Sequence, residues 1–179
     1  MKIVRHGNPK GLDIDFKVFV TSVREIRELH EGLVSDGYMF LYQKGDIAYT
    51  PESKELVVLH YIDKDLKLYD FAFIFPDTSK KSEERIKSEF DIQLDKAYAR
   101  AKTDTGYRSV LMKYMRLHVL IQAFVKHMRA YGKITEPYTD ILKKVLGRVK
   151  KQTGLEIRGE ITQQTLRNLD REVKEFFEI

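Results

Sequence analysis

The chain has 179 residues, of which 42% are apolar and 33% are charged, and it contains no cysteine. This composition is typical of a globular protein that builds its core without disulfides, and it excludes Cys-ligated zinc and iron–sulfur sites. The sequence has neither an apolar run of membrane-spanning length nor the apolar start of a secretory signal. We therefore expect no membrane association and a cytoplasmic or intracellular location, which includes the interior of a virion.

The first 76 residues predict a sheet with one helix. Apolar residues alternate from Ile14 to Val20, as in a half-buried strand. Ser22 and Glu25 match a capping box, which predicts a helix that ends near Gly37. Four further strands are predicted between short turns, over residues 38–43, 47–50, 55–62 and 66–75. Because short connections join antiparallel neighbours, we expect an antiparallel sheet with the helix on one face.

The remaining residues predict four helices. They are expected over residues 80–102, over residues 108–131, from Pro137 onward, and after a Thr162 N-cap. The second of these is apolar almost all round, which is typical of a helix enclosed by others.

The predicted fold class is therefore α+β, with an N-terminal antiparallel sheet and one helix followed by a four-helix C-terminal half. We expect a single domain over residues 1–179, with a sheet-rich part (1–76) and a helical part (77–179).

Positive charge is concentrated in one segment. Residues 96–151 contain fourteen Lys or Arg and three Asp or Glu, a net charge of +11, whereas the rest of the chain has a net charge of −6. An asymmetry of this size attracts polyanions. The alternatives are ordinary solvated helix faces, a face that binds nucleic acid, and a face that binds an acidic protein.

Ten basic residues of this segment are candidates for anion binding. Those on the second helix fall into two groups that point roughly opposite ways, so they need not form one patch. Those on the helix that begins at Pro137 lie opposite its apolar stripe, which makes this helix the clearer candidate. The ten are Lys113, Arg116, Lys126, Arg129, Lys133, Lys143, Lys144, Arg148, Lys150 and Lys151.

Other side chains in the helical part have chemistry suited to nucleic acid. The last two helices have the order of a helix-turn-helix, although their turn is longer than usual. The last helix begins with types that read base edges, namely Gln163, Gln164, Arg167 and Asn168. Four tyrosines near the basic residues could stack on bases, although packing is their expected role. They are Tyr107, Tyr114, Tyr131 and Tyr138.

The sequence contains no recognisable catalytic motif. It has no phosphate-binding glycine loop, no nucleophile elbow and no pair of histidines at a metal-ligand spacing. Asp63 and Asp65 lie between two predicted strands and predict a turn. Asp13 and Asp15 lie on one face of a predicted strand, where two carboxylates could form half of a magnesium site for phosphoryl chemistry.

These observations favour a non-enzymatic protein without a bound metal or cofactor. We expect an interaction or assembly subunit, within a viral or nucleic-acid-handling complex, whose basic helical face docks an anionic macromolecule. An oligomer or a subunit of a larger complex is expected. Two alternatives stay open. One is a free-standing nucleic-acid-binding protein with sequence-nonspecific phosphate contacts, and the other is a metal-dependent nuclease that uses Asp13 and Asp15.

Overall fold

The structure, a computed structural model, describes residues 1–7, 11–45, 57–76 and 89–179. The strand predicted over 47–50 and the start of the helix predicted over 80–102 lie outside these residues. The α+β fold class is confirmed, with a mainly N-terminal sheet and helices after it.

The chain divides into two compact units. The first unit is Met1–Glu83, and the second is Glu84–Ile179. The prediction of one domain with two parts stays a prediction.

In the first unit, the residues that the structure describes form a five-stranded mixed sheet and one helix. Its elements are β1 (Lys2–His6), β2 (Asp13–Phe19), α1 (Val23–Ser35), β3 (Met39–Lys44), β4 (Val57–Ile62) and β5 (Leu68–Ile74). The strand order across the sheet is β1-β2-β5-β4-β3. Three neighbouring pairs are antiparallel, the arrangement expected of the sheet, but β2 and β5 run parallel. The expectation of antiparallel pairing throughout was therefore too simple.

The parallel pair results from the crossover through α1. The helix carries the chain from β2 to the far edge of the sheet, and three antiparallel strands then return until β5 reaches β2. Strand β1 was not predicted, because all five of its residues are exposed and show no apolar alternation. It pairs with β2 at the other edge.

Helix α1 packs against one face of the sheet and forms the core of this unit. Ile26 and Leu33 are its buried residues. The sheet contributes alternate side chains of three strands, including Val18, Leu59, Tyr61, Phe71 and Phe73. Because successive side chains of a strand point to opposite faces, the residues between these lie on the face away from α1. That face contains the polar cluster described below.

The described residues of the second unit, 89–179, form four helices. They are α2 (Glu89–Ala101), α3 (Thr105–Tyr131), α4 (Tyr138–Thr153) and α5 (Gln163–Phe176). The prediction of a central helix is confirmed, since α3 contacts the other three and eleven of its residues are buried. Within the described ranges, no helix is both long and apolar enough to cross a membrane.

Candidate functional site

A row of polar side chains crosses the sheet on the face away from α1. The strand registers place one residue of each strand next to the following one. From β1 to β3, the row is His6, Asp15, Asp70, His60 and Tyr42. A register irregularity in β3 separates Phe40, which pairs on the core face, from Tyr42, which pairs on the polar face. Bulges of this kind redirect side chains near functional sites.

Three carboxylates meet here, two from this row and one beside it. Asp13 lies two residues before Asp15 on β2, and Asp70 is the cross-strand partner of Asp15. One oxygen of each carboxylate can be chosen so that all three lie within 4.8 Å of one another, and all three residues are half-buried. Carboxylate oxygens are the ligands that Mg²⁺ and Mn²⁺ prefer. The cluster Asp13, Asp15 and Asp70, here called the carboxylate cluster, therefore has the ligand chemistry of a divalent-cation site.

The carboxylate cluster perturbs its own ionisation. The pKa of Asp13 is raised to about 6, first by burial and then by the charges of Asp15 and Asp70. The pKa of Asp15 is also raised, first by burial and then by Asp70. A desolvated carboxylate beside like charges favours its protonated form. The cluster thus concentrates negative charge at an energetic cost that a proton or a cation relieves.

His60 holds Asp70 in place. The Nδ1 atom of His60 lies 2.6 Å from Oδ1 of Asp70. The imidazole also stacks on the ring of Tyr42, with centroids 4.1 Å apart. Because an ionised carboxylate can only accept, Nδ1 is the donor of this hydrogen bond. The other ring nitrogen, Nε2, is buried and has no hydrogen-bond partner in the part of the chain that the structure describes.

Gly7 closes one side of Asp15. Its φ of +84° is a left-handed conformation that favours glycine. A Cβ at this position would lie 2.9 Å from Oδ2 of Asp15, closer than real contacts allow. The glycine just after β1 therefore allows the chain to pass directly beside the cluster.

The predicted anion-binding residues all lie in the second unit, and all ten are exposed. This unit contains twenty basic and thirteen acidic residues, a net charge of +7. On α4, Lys143, Lys144 and Arg148 lie opposite a stripe that is buried in the unit. Lys150 is less available, because its Nζ forms a 2.8 Å ion pair with Glu156.

The other predicted nucleic-acid-binding side chains occupy mixed positions. Gln164 and Arg167 are exposed at the start of α5, and Gln164 donates a 3.0 Å hydrogen bond to Asn168. Of the four tyrosines, Tyr114 is buried and Tyr131 is 53% exposed.

Two histidines of the second unit have packing contacts of the expected kind. The buried His127 packs against the ring of Tyr138 at 4.4 Å between centroids. His118 hydrogen-bonds to Asp170.

Sequence reasoning identified Asp13 and Asp15 but missed Asp70, His60, His6 and Tyr42. A signal was present: Asp70 and His60 are polar residues on predicted strands, at positions that alternate with large apolar or aromatic residues. That pattern places both Asp70 and His60 on a polar face of the sheet. It does not predict which residue of the neighbouring strand lies next to either of them.

No protein-family model matches this chain, and a search of curated proteins finds no significant match. The functional assignment therefore depends on the geometry of the site.

Proposed function

We propose that the protein is a divalent-cation-dependent phosphodiesterase that acts on nucleic acid, with the cation held by the carboxylate cluster. The observation that carries the proposal is the meeting of Asp13, Asp15 and Asp70 within 4.8 Å on adjacent strands. This extends the nuclease alternative from two aspartates to three, because the parallel pairing of β2 and β5 supplies the third.

The chemistry of such a centre suits phosphodiester hydrolysis. A Mg²⁺ or Mn²⁺ held by Asp13, Asp15 and Asp70 would polarise a phosphoryl oxygen and supply a water of lowered pKa for hydrolysis of the ester. Mg²⁺ keeps several positions for water and substrate when only a few carboxylates bind it. His60 is a positioning residue here, since it hydrogen-bonds to Oδ1 of Asp70 and leaves the other oxygen for the cation.

The charge of the second unit supports nucleic acid as the substrate. Its net charge of +7 and the exposed Lys and Arg side chains of α4 suit a polyanion better than a small phosphate ester. Backbone phosphates give binding that does not depend on base sequence.

The second candidate is an interaction or assembly subunit that docks an anionic macromolecule through this basic face without cleaving it. The exposure of Lys143, Lys144 and Arg148, opposite the buried stripe of α4, favours it. Among the sixteen residues of α4, the acidic one is Asp140, in the first turn. This candidate predicts binding of nucleic acid or of an acidic protein with no cation-dependent cleavage.

A paired cation-binding and cleavage assay tests the first proposal. We expect the full chain to bind Mn²⁺ in calorimetry and to cleave labelled DNA or RNA with Mg²⁺ or Mn²⁺ but not with EDTA. Asp70→Asn should keep the fold, weaken Mn²⁺ binding about tenfold or more, and reduce cleavage by a similar or larger factor. Asp36→Asn, which changes an exposed carboxylate of the same unit, is the matched control and should change neither.

The outcomes separate the two candidates. Mn²⁺ binding without cleavage of any nucleic acid would refute the phosphodiesterase and leave a cation site. No Mn²⁺ binding by the unmodified chain would refute both the site and the activity. Nucleic-acid binding that persists in EDTA, with no cleavage under any condition, would favour the docking subunit.

A further inference from the structure

We infer that the second unit contains a binding pocket for a small aromatic anion such as a nucleoside monophosphate. The pocket lies among α2, the start of α3 and the end of α5, and its volume is about 250 Å³. This volume is just below the range of drug-sized ligand sites, so it suits a small ligand.

The charge of the lining is positive. Lys96 and Arg100 of α2, Lys174 of α5 and the last residue, Ile179, line the pocket, and no Asp or Glu is among the lining residues that the structure describes. The Nζ atom of Lys174 lies 3.3 Å from the side-chain oxygen of Gln93, which holds the ammonium at the pocket. Three cations from two helices provide a site for a phosphate or another compact anion.

Arg100 also has an ion pair outside the pocket. Its guanidinium lies 3.6 Å from Asp104, and both side chains are about half exposed or more. Exposed ion pairs of this kind contribute little free energy, so a bound anion can compete for the guanidinium.

The walls of the pocket are apolar and aromatic. Leu94 and Ala97 of α2 contribute apolar surface, and the ring of Tyr107 lies beside them. The guanidinium of Arg100 lies over that ring, 4.0 Å from its centroid. A stacked guanidinium keeps its N–H donors in its own plane, where they can bind an anion. This lining therefore favours a ligand with two parts. A planar ring would pack against the apolar walls, and a negatively charged group would bind the cations.

All of these residues belong to the second unit, so the inference is independent of the carboxylate cluster and of the proposed phosphodiesterase. Binding is measured in EDTA, with adenosine 5′-monophosphate as the probe and with adenosine and inorganic phosphate as the two partial ligands. We expect the monophosphate to bind the full chain at about millimolar concentration or below, and each partial ligand to bind more weakly.

Two substitutions of exposed lysines make the test specific. Lys96→Gln removes a pocket cation and should weaken binding of the monophosphate about tenfold. Lys113→Gln removes an exposed lysine of α3 that does not line the pocket, and it should leave the affinity within about twofold. Tyr107→Leu should weaken binding of the monophosphate while leaving binding of inorganic phosphate unchanged.

The inference fails if the unmodified chain does not bind the monophosphate at millimolar concentration. It also fails if the two lysine substitutions weaken binding equally, since binding would then depend on diffuse surface charge. Inorganic phosphate that binds as tightly as the monophosphate would overturn the aromatic part of the assignment. Binding that persists in Asp70→Asn supports the pocket and separates it from the carboxylate cluster.

Discussion

At the scale of single residues, Asp13 has two opposed effects: its carboxylate can bind a cation, but its charge lowers the stability of the folded protein. Its pKa is about 6 in the folded protein, against an ordinary value of 3.8. Between these two values the folded state binds more protons than the unfolded state, so the free energy of unfolding falls as pH rises from about 4 to about 6. Above that range the folded protein retains a carboxylate charge that burial and two neighbouring carboxylates disfavour.

We expect Asp13→Asn to stabilise the protein at neutral pH and to weaken cation binding. In EDTA at about pH 7.5, the free energy of unfolding should rise by about 1 kcal/mol, a value reduced for the partial exposure of the group. Near pH 4 the gain should largely vanish, because the aspartate is then mostly protonated. Urea denaturation at the two pH values measures both effects.

The control for this substitution is Asp36→Asn, at an exposed position of the same unit. It should leave the stability within about 0.5 kcal/mol at either pH. A stabilisation by Asp13→Asn that is equal at both pH values, or a loss of stability at neutral pH, would contradict the assignment of Asp13 to a strained carboxylate cluster.

At the scale of elements, a buried polar network joins α3 to α5. Asp170 of α5 is buried, and its two oxygens each lie 2.9 Å from Nδ1 of His118 on α3. Gln122, one turn further along α3, donates to the same carboxylate at 2.7 Å. A buried carboxylate needs such partners, and the partners lose their acceptor if it is removed.

Asp170→Ala should therefore destabilise the protein strongly. We expect a loss of about 2–4 kcal/mol in the free energy of unfolding, because His118 and Gln122 would both lose hydrogen bonds to a buried carboxylate. Glu172→Ala, an exposed change on the same helix, should cost no more than about 0.5 kcal/mol. Equal losses in the two variants, measured by urea denaturation, would show that the network contributes little.

Local signals located the helix starts to within a few residues, but not always through the cap that was predicted. The Thr162 cap was predicted, and its side chain accepts from the backbone N–H of Thr165. The start of α3 was placed three residues late, because Gly106 suggested a break, whereas Asp104 caps the helix by accepting from Tyr107. At α1, Ser22 makes no side-chain cap, and Glu25 instead accepts from the backbone N–H of Thr21 at 2.6 Å.

At the scale of the whole molecule, the uneven distribution of charge is the main determinant of its expected partners. The first unit has a net charge of −2 and the second a net charge of +7. Binding of nucleic acid through exposed Lys and Arg releases counterions, so its affinity falls steeply as salt rises. This applies to both the phosphodiesterase and the docking subunit, because it depends on the charges and not on cleavage.

We expect binding to labelled DNA or RNA in EDTA to weaken steeply between about 50 and 300 mM salt. Lys144→Glu with Arg148→Glu should weaken binding to every sequence and reduce the salt slope by about two. The matched pair Arg167→Glu with Arg171→Glu makes the same charge change on exposed residues of α5. It should have a smaller effect, and anisotropy measures both.

Two results would contradict this assignment. Unchanged binding in the α4 variant would exclude the basic face of α4. Loss of binding in the α5 variant for some base sequences and not others would favour recognition of bases by the start of α5, as the helix-turn-helix interpretation predicts.

The α+β class, the central helix and the concentration of basic charge were readable from the chain alone, because apolar periodicity, turns and charge are properties of short segments. Asp13 and Asp15 were readable for the same reason, since residues two apart on a strand share a face.

The parallel pairing of β2 with β5 was not readable. It joins residues 55 positions apart in the chain, and its register depends on how α1 packs against the sheet. That pairing brings Asp70 to Asp15, and the pairing of β5 with β4 then places His60 beside Asp70. The composition of the candidate site is therefore a consequence of long-range packing, which no local pattern in the sequence encodes.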